Sequence, residues 1–169
     1  KVLAMEGRRL LVFDADLRRP SQRKLIGATG GAGLEQYLQG KATLASVVQQ
    51  SKIVGVDVLA AGEGSSGAAE LAGTTRFEEA LVWARANYDF VLIDSAPVNQ
   101  VSESPLVARR ADLTVLVVRE GQTSRSAAVL ARRRLESMQV VLGGAVLNCA
   151  NPQGRGYGYG YYYSAYYGK

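Results

Sequence analysis

Five short apolar runs punctuate the chain, at residues 10–13, 56–61, 90–93, 113–118 and 145–147. Each is rich in aliphatic or β-branched side chains, with little alternation of polar residues. That is how strands buried on both faces of a parallel sheet read. Helical periods lie between them. Phe77, Leu81, Ala84 and Tyr88 recur at helical spacing over residues 75–88. Ala127, Leu130, Ala131, Leu135 and Met138 form one stripe over 124–138, with Arg132, Arg133 and Arg134 mostly off it. Thr123 or Ser124 can cap that helix. Strands alternating with helices predict βαβ units with right-handed crossovers. The expected fold is α/β, with a mostly parallel sheet flanked by helices on both faces in three layers.

Two stretches depart from this grammar. Residues 1–6 read as the end of a helix, closed by Gly7 as its C-cap. Such a helix should follow a strand, so the chain is expected to start inside its first βα unit, truncated at its N-terminus. From Asn151 to Lys169 there is no apolar period and glycine is frequent, which predicts a flexible, low-complexity tail. The expected division is therefore a domain over 1–150 and a tail over 151–169.

Composition narrows the chemistry. The 169 residues suffice for one domain with a real core. There is no His, which removes His general bases, Ser-His-Asp triads and His metal sites. The single cysteine, Cys149, excludes an internal disulfide and a Cys-cluster zinc site. Carboxylates, Arg, Lys, Ser, Thr and Tyr remain. The net charge of +5 is uneven: residues 1–24 carry seven cationic side chains against three acidic ones, and residues 55–104 carry eight acids against Arg76 and Arg85. The basic first segment suggests anionic partners such as phosphate groups, nucleic acid or a membrane surface. No apolar run reaches the length of a membrane span, and no signal peptide is visible. Seven of the nine tyrosines fall within the last 13 residues.

Two strand ends carry candidate chemistry. In an open parallel sheet, ligands sit at the carboxyl ends of the strands. The first apolar run ends in Asp14-Ala15-Asp16-Leu17-Arg18-Arg19-Pro20. Two carboxylates followed by two Arg can hold a divalent cation and phosphate oxygens together, because oxygen ligands suit Mg²⁺ and the Arg fork suits phosphate. The third run ends in Asp94, a Walker-B pattern in which an acid at a strand tip orients the metal. Asp14, Asp16 and Asp94 would then converge on one edge of the sheet. Gly62-Glu63-Gly64-Ser65-Ser66-Gly67 also matches G-x-G-x-x-G. Its Glu63 would repel a pyrophosphate, and Asp94 lies further on than the usual ribose-binding acid, so a plain flexible loop is favoured. The phosphate-cradling G-x-x-x-x-G-K-[ST] motif is absent: Ala42 follows Gly40-Lys41, and position 35 is Glu.

Together these features resemble the bacterial tyrosine kinases of capsule and exopolysaccharide synthesis. These are P-loop NTPases with a Walker A′ motif, related to the MinD and ParA ATPases. Residues 10–20 are similar to Walker A′, an apolar run followed by D-x-D-x-R. Residues 90–97 are similar to Walker B, Glu70-Leu71 with Arg76-Phe77 to the E-L-L…R-F segment, and residues 144–148 to the G-x-V-L-N strand. The tail resembles the family's tyrosine cluster. By that register the first strand and phosphate loop would lie just before Lys1, so residues 1–169 alone are expected to bind ATP weakly or not at all and to be inactive.

The resemblance implies a protein-tyrosine autokinase. It would transfer the γ-phosphoryl group of ATP, with Mg²⁺, to tyrosines of a neighbouring subunit's tail, and so regulate polysaccharide synthesis and export. Asp16 is the first candidate for proton acceptor and Asp14 the second, with Arg18 stabilising phosphate charge. Asp14 and Asp94 would hold the metal. Arg19 would contact phosphate, and Asn148 would lie near the adenine. Tyr157, Tyr159, Tyr161, Tyr162, Tyr163, Tyr166 and Tyr167 would be acceptors. Implied partners are a homo-oligomer, a membrane-spanning polysaccharide co-polymerase module or activator, and a tyrosine phosphatase. The implied location is the cytoplasmic face of the cell membrane. Nucleic acid is not an expected partner, since the tail holds only Arg155 and Lys169 as charges. The alternatives are a MinD/ParA-like positioning ATPase and a catalytically incompetent regulatory chain.

Overall fold

The computed structural model describes residues 2–28, 31–63 and 67–151. Along the chain lie α1 (Val2–Met5), β1 (Leu10–Asp14), α2 (Gln22–Leu25), α3 (Leu34–Leu38) and α4 (Leu44–Val47). Then come β2 (Val48–Gln50), β3 (Val56–Leu59), α5 (Ala68–Ala72), α6 (Thr75–Asn87) and β4 (Phe90–Asp94). α7 (Glu103–Arg109), β5 (Thr114–Arg119), α8 (Arg125–Ser137) and β6 (Leu142–Asn148) complete the order. All five expected strands form, and the fold is α/β with a mostly parallel sheet.

Local chemistry sets the element ends. The Thr74 hydroxyl accepts from the Phe77 N–H at the start of α6, and the Ser124 hydroxyl accepts from the Ala127 N–H at the start of α8. Ser124 is therefore the cap. The Thr123 hydroxyl instead accepts from the Arg119 N–H and closes the turn after β5. Gly7 sits at φ +78, the left-handed geometry that ends a helix without a Cβ clash.

One sheet has the order β2-β3-β1-β4, and a second consists of β5-β6. β1 runs parallel to β3 and β4, β5 runs parallel to β6, and β2 lies antiparallel on the edge. Leu11 and Phe13 of β1 belong to the buried core. Phe13 is fully buried and meets Phe77 of α6 edge-to-face at 5.6 Å, within a cluster that includes Leu11, Leu34, Leu59, Leu81 and Val107.

The sheet is less covered than the apolar runs predict. Burial on both faces holds for β1, but Leu92 of β4 and Val117 of β5 are 53% and 62% exposed. Val115 and Val146 are also exposed. β4 and β5 do not pair; a cavity of about 750 Å³ lies between them, walled by Phe90, Leu92, Ile93, Leu113 and Val115. Among the described residues no strand fills this gap, so Leu92 and Val115, suited to an interior, face an opening, whereas Val117 and Val146 are exposed without lining it. Residues 64–66, and every acceptor tyrosine expected in the tail, lie outside the described residues.

Candidate active site

The site forms where β1 and β4 end together. Their parallel register sets Asp14 beside Asp94, and the Ala15 N–H donates to the Asp94 carbonyl at 2.7 Å. Asp14 is fully buried. Its Oδ1 accepts from the Asp16 N–H at 3.2 Å, and its Oδ2 accepts from the Ser21 and Gln22 N–H groups at 3.3 and 3.1 Å. Burial pushes the Asp14 carboxyl above its ordinary range and the neighbouring Asp94 charge adds to this, while the three backbone donors oppose it. Oδ2 of Asp94 accepts from the side-chain amide of Gln22 at 2.6 Å. Its Oδ1 accepts no hydrogen bond among the described residues.

Asp16 is partly exposed, and its Oδ1 accepts from the Arg18 and Arg19 N–H groups at 3.2 and 2.9 Å, supporting the turn that carries both arginines. It does not join the other two carboxylates. Among the described residues no three acidic, His or Cys side chains stand close enough to hold a metal together. The expected convergence of three acids is thus a pair, Asp14 and Asp94, because Asp16 is committed to the following turn. This pair fits a hard divalent cation in donor type: two carboxylates side by side, one of them with an oxygen that accepts no hydrogen bond among the described residues.

Arg18 reaches across to α7. Its Nε donates to the buried carboxylate of Glu103 at 2.5 Å, while the Arg18 side chain as a whole stays about half-exposed. Burial alone would raise the Glu103 carboxyl, but the hydrogen bond and charge of Arg18 outweigh it and hold that carboxyl below its ordinary range. Arg19 is exposed. Asn148, the last residue of β6, accepts on Oδ1 from the N–H of the next residue, Cys149, at 2.8 Å.

The G-x-G-x-x-G segment has a packing explanation on the part that is described. Gly62 sits at φ +119, and a Cβ there would lie 2.9 Å from the Glu35 Cβ of α3. Only glycine lets this loop pass α3 so closely.

No family model matches the chain. The tyrosine-protein kinase Etk of Escherichia coli K12 is 35% identical over 147 residues, which is 87% of this chain and 20% of that protein. The tyrosine-protein kinase YwqD of Bacillus subtilis 168 is 32% identical over 147 residues, 87% of this chain and 62% of that protein. Among solved structures, the kinase domain of Etk superposes with a TM-score of 0.83 at 35% identity, covering 87% of this chain and 58% of that one. The chain is a homologue of the bacterial tyrosine-protein kinases. MinD from Pyrococcus horikoshii, solved with Mg-ADP, superposes at a TM-score of 0.71 with 20% identity over 86% of this chain and 59% of that one, a likeness of fold. The chain spans about one fifth of the length of Etk.

Two of the nine tyrosines, Tyr37 and Tyr88, lie among the described residues. The two described ones are engaged: the Tyr37 hydroxyl donates to Glu79 at 3.2 Å and the Tyr88 hydroxyl to Asp57 at 2.8 Å. Burial pushes both hydroxyls above their ordinary range, and the carboxylate partners push the same way. The E-L…R-F segment of this homologue also has a structural use. Arg76 lies 4.6 Å over the Tyr37 ring and donates to its carbonyl, tying α6 to α3. Gln22 and Glu103 escaped the sequence reading because their partners lie 72 and 85 residues away. The one available cue for Glu103 was Ser102-Glu103-Ser104-Pro105, a helix-start composition.

Proposed function

We propose that this chain is the catalytic part of an ATP-dependent protein-tyrosine kinase whose acceptors are tyrosines of its own tail, presented by a neighbouring subunit. The observation that carries the reading is the Asp14–Asp94 carboxylate pair on adjacent strand ends, followed by the D-x-D-x-R turn, in a homologue of tyrosine kinases. In the reaction the acceptor Tyr oxygen forms a bond to the γ-phosphorus as the bond from that phosphorus to ADP breaks, and the Tyr proton passes to a carboxylate. Asp16 takes this role: it is partly exposed beside the arginines, whereas both oxygens of Asp14 already accept backbone hydrogen bonds. Asp94 and Asp14 would hold Mg²⁺, which neutralises charge on the transferred phosphate when bound. Arg19, exposed and without an ion-pair partner among the described residues, is the stronger candidate for phosphate contact. Arg18 reaches phosphate only by leaving or sharing Glu103. Most of the gain comes from positioning and charge stabilisation.

The opening between β4 and β5 supports a further part of this reading. A parallel strand seated there would reach β1 by a right-handed crossover through α1. We assign the opening to the strand that precedes the phosphate loop. A random coil of 19 residues, the length from Asn151 to Lys169, would have a dimension of about 24 Å and a maximum of about 60 Å. Such a reach serves a neighbouring subunit. Each phosphate adds about −1.5 to −2 charges, so accumulated phosphate would repel the acidic site and drive subunits apart.

Phosphotyrosine measured on full-length protein incubated with ATP tests the reading. Changing all seven tail tyrosines to Phe is expected to abolish the signal. A signal equal to the unsubstituted protein would overturn the tail as acceptor, and no signal from the unsubstituted protein would favour the positioning-ATPase alternative.

A further inference from the structure

Gln22 touches both carboxylates of the site, through different atoms. Its backbone N–H donates to Oδ2 of Asp14 at 3.1 Å, and its side-chain Nε2 donates to Oδ2 of Asp94 at 2.6 Å. The first contact helps fix where α2 begins. Ser21 precedes that helix and also donates its N–H to Asp14, so the buried carboxylate anchors the start of α2. α2 in turn aims the Gln22 amide at Asp94. The chemistry of an amide matters here. Two carboxylates set side by side by the strand register repel each other, and a neutral donor relieves that without supplying a fixed cation. It also leaves the place of a cation open. Gln22 thus holds Oδ2 of Asp94, while Oδ1 has no donor among the described residues.

We propose that Gln22 is a positioning residue for the divalent cation of the nucleotide site: its amide pins Oδ2 of Asp94 so that Oδ1 is the oxygen presented to the metal. The proposal rests on the kinase reading above. Groups that orient a metal-ligating carboxylate commonly change metal affinity 10- to 100-fold when lost. A replacement of similar shape without a donor removes only the pin, and a lysine places a permanent cation where the divalent ion should sit.

The test uses full-length protein and a fluorescent ATP analogue, with binding followed as Mg²⁺ is titrated and melting temperature recorded alongside. Gln22→Met is expected to raise the Mg²⁺ concentration for half-maximal nucleotide binding by about 10-fold or more. Nucleotide affinity without Mg²⁺ and the melting temperature should stay near those of the unsubstituted protein. Gln22→Lys is expected to raise the Mg²⁺-free melting temperature and to flatten the Mg²⁺ response. An unchanged Mg²⁺ response in Gln22→Met overturns the positioning role alone. Absence of Mg²⁺-dependent binding in the unsubstituted protein overturns the kinase reading and this proposal with it.

Discussion

Asp14 and Asp16 stand two residues apart and have become chemically different groups. Asp14 is fully buried, and both its oxygens accept from backbone N–H groups. Asp16 is partly exposed and uses Oδ1 to support the turn before α2. This division makes Asp16→Asn a clean test of the proton acceptor. Asparagine keeps a carbonyl oxygen for the Arg18 and Arg19 N–H groups, so the turn should survive, while the group that takes a proton is gone. Tail phosphorylation by full-length protein is expected to fall by about 10²- to 10⁴-fold with the melting temperature nearly unchanged. A near-normal rate would move the base to another carboxylate. At this scale the sequence is partly legible. Asp14 and Asp94 announce themselves because each ends an apolar run, and strand ends are where parallel sheets place ligands. What each oxygen does is not legible, since it depends on which N–H groups the next turn supplies.

At the scale of elements, the strand ends and the turn after β1 are tied to α7 by the Arg18–Glu103 pair. The cost of burying Glu103 is offset by that partner, so removing its charge should loosen the tie and leave the guanidinium to water. The folded carboxyl is held below its ordinary range. Its contribution to stability is therefore fully present above the unfolded Glu pKa of about 4.3 and is lost as pH falls through the lower folded value. Glu103→Gln is expected to melt below the unsubstituted protein at pH 7, with the two melting curves converging below about pH 4. A melting-temperature difference that stayed constant from pH 7 to pH 3 would show that packing, not charge, holds the tie. The long elements were legible for a physical reason: α6 and α8 run 13 residues each, enough turns to show a period. α2 to α5 and α7 are 4 to 7 residues long and leave no such trace. β2, at three residues, forms only because β3 offers it an edge.

At the scale of the whole molecule, the apolar runs and the architecture disagree in one place, and the disagreement is informative. Residues 90–93 and 113–118 read as interior strands, yet β4 and β5 face an opening instead of each other. A sequence pattern reports the environment for which a strand is suited, whichever part of the chain supplies that environment. The solvent exposure of Leu92, Val115, Val117 and Val146 thus measures what the described residues leave uncovered. Contiguous exposed apolar surface of this kind drives association. A polypeptide of residues 1–169 is expected to bind an apolar dye such as ANS strongly and to self-associate with rising concentration. On the proposed assignment, extending it upstream by a strand and a phosphate loop should suppress dye binding, raise the melting temperature and create tight Mg²⁺-dependent ATP binding together, because the one added strand would both close the sheet and carry the loop. Dye fluorescence, light scattering and nucleotide titration on the two polypeptides check this. Weak dye binding by residues 1–169, or tight ATP binding without the extension, would show that the opening between β4 and β5 is closed by the chain's own residues and that the nucleotide site does not need the added strand.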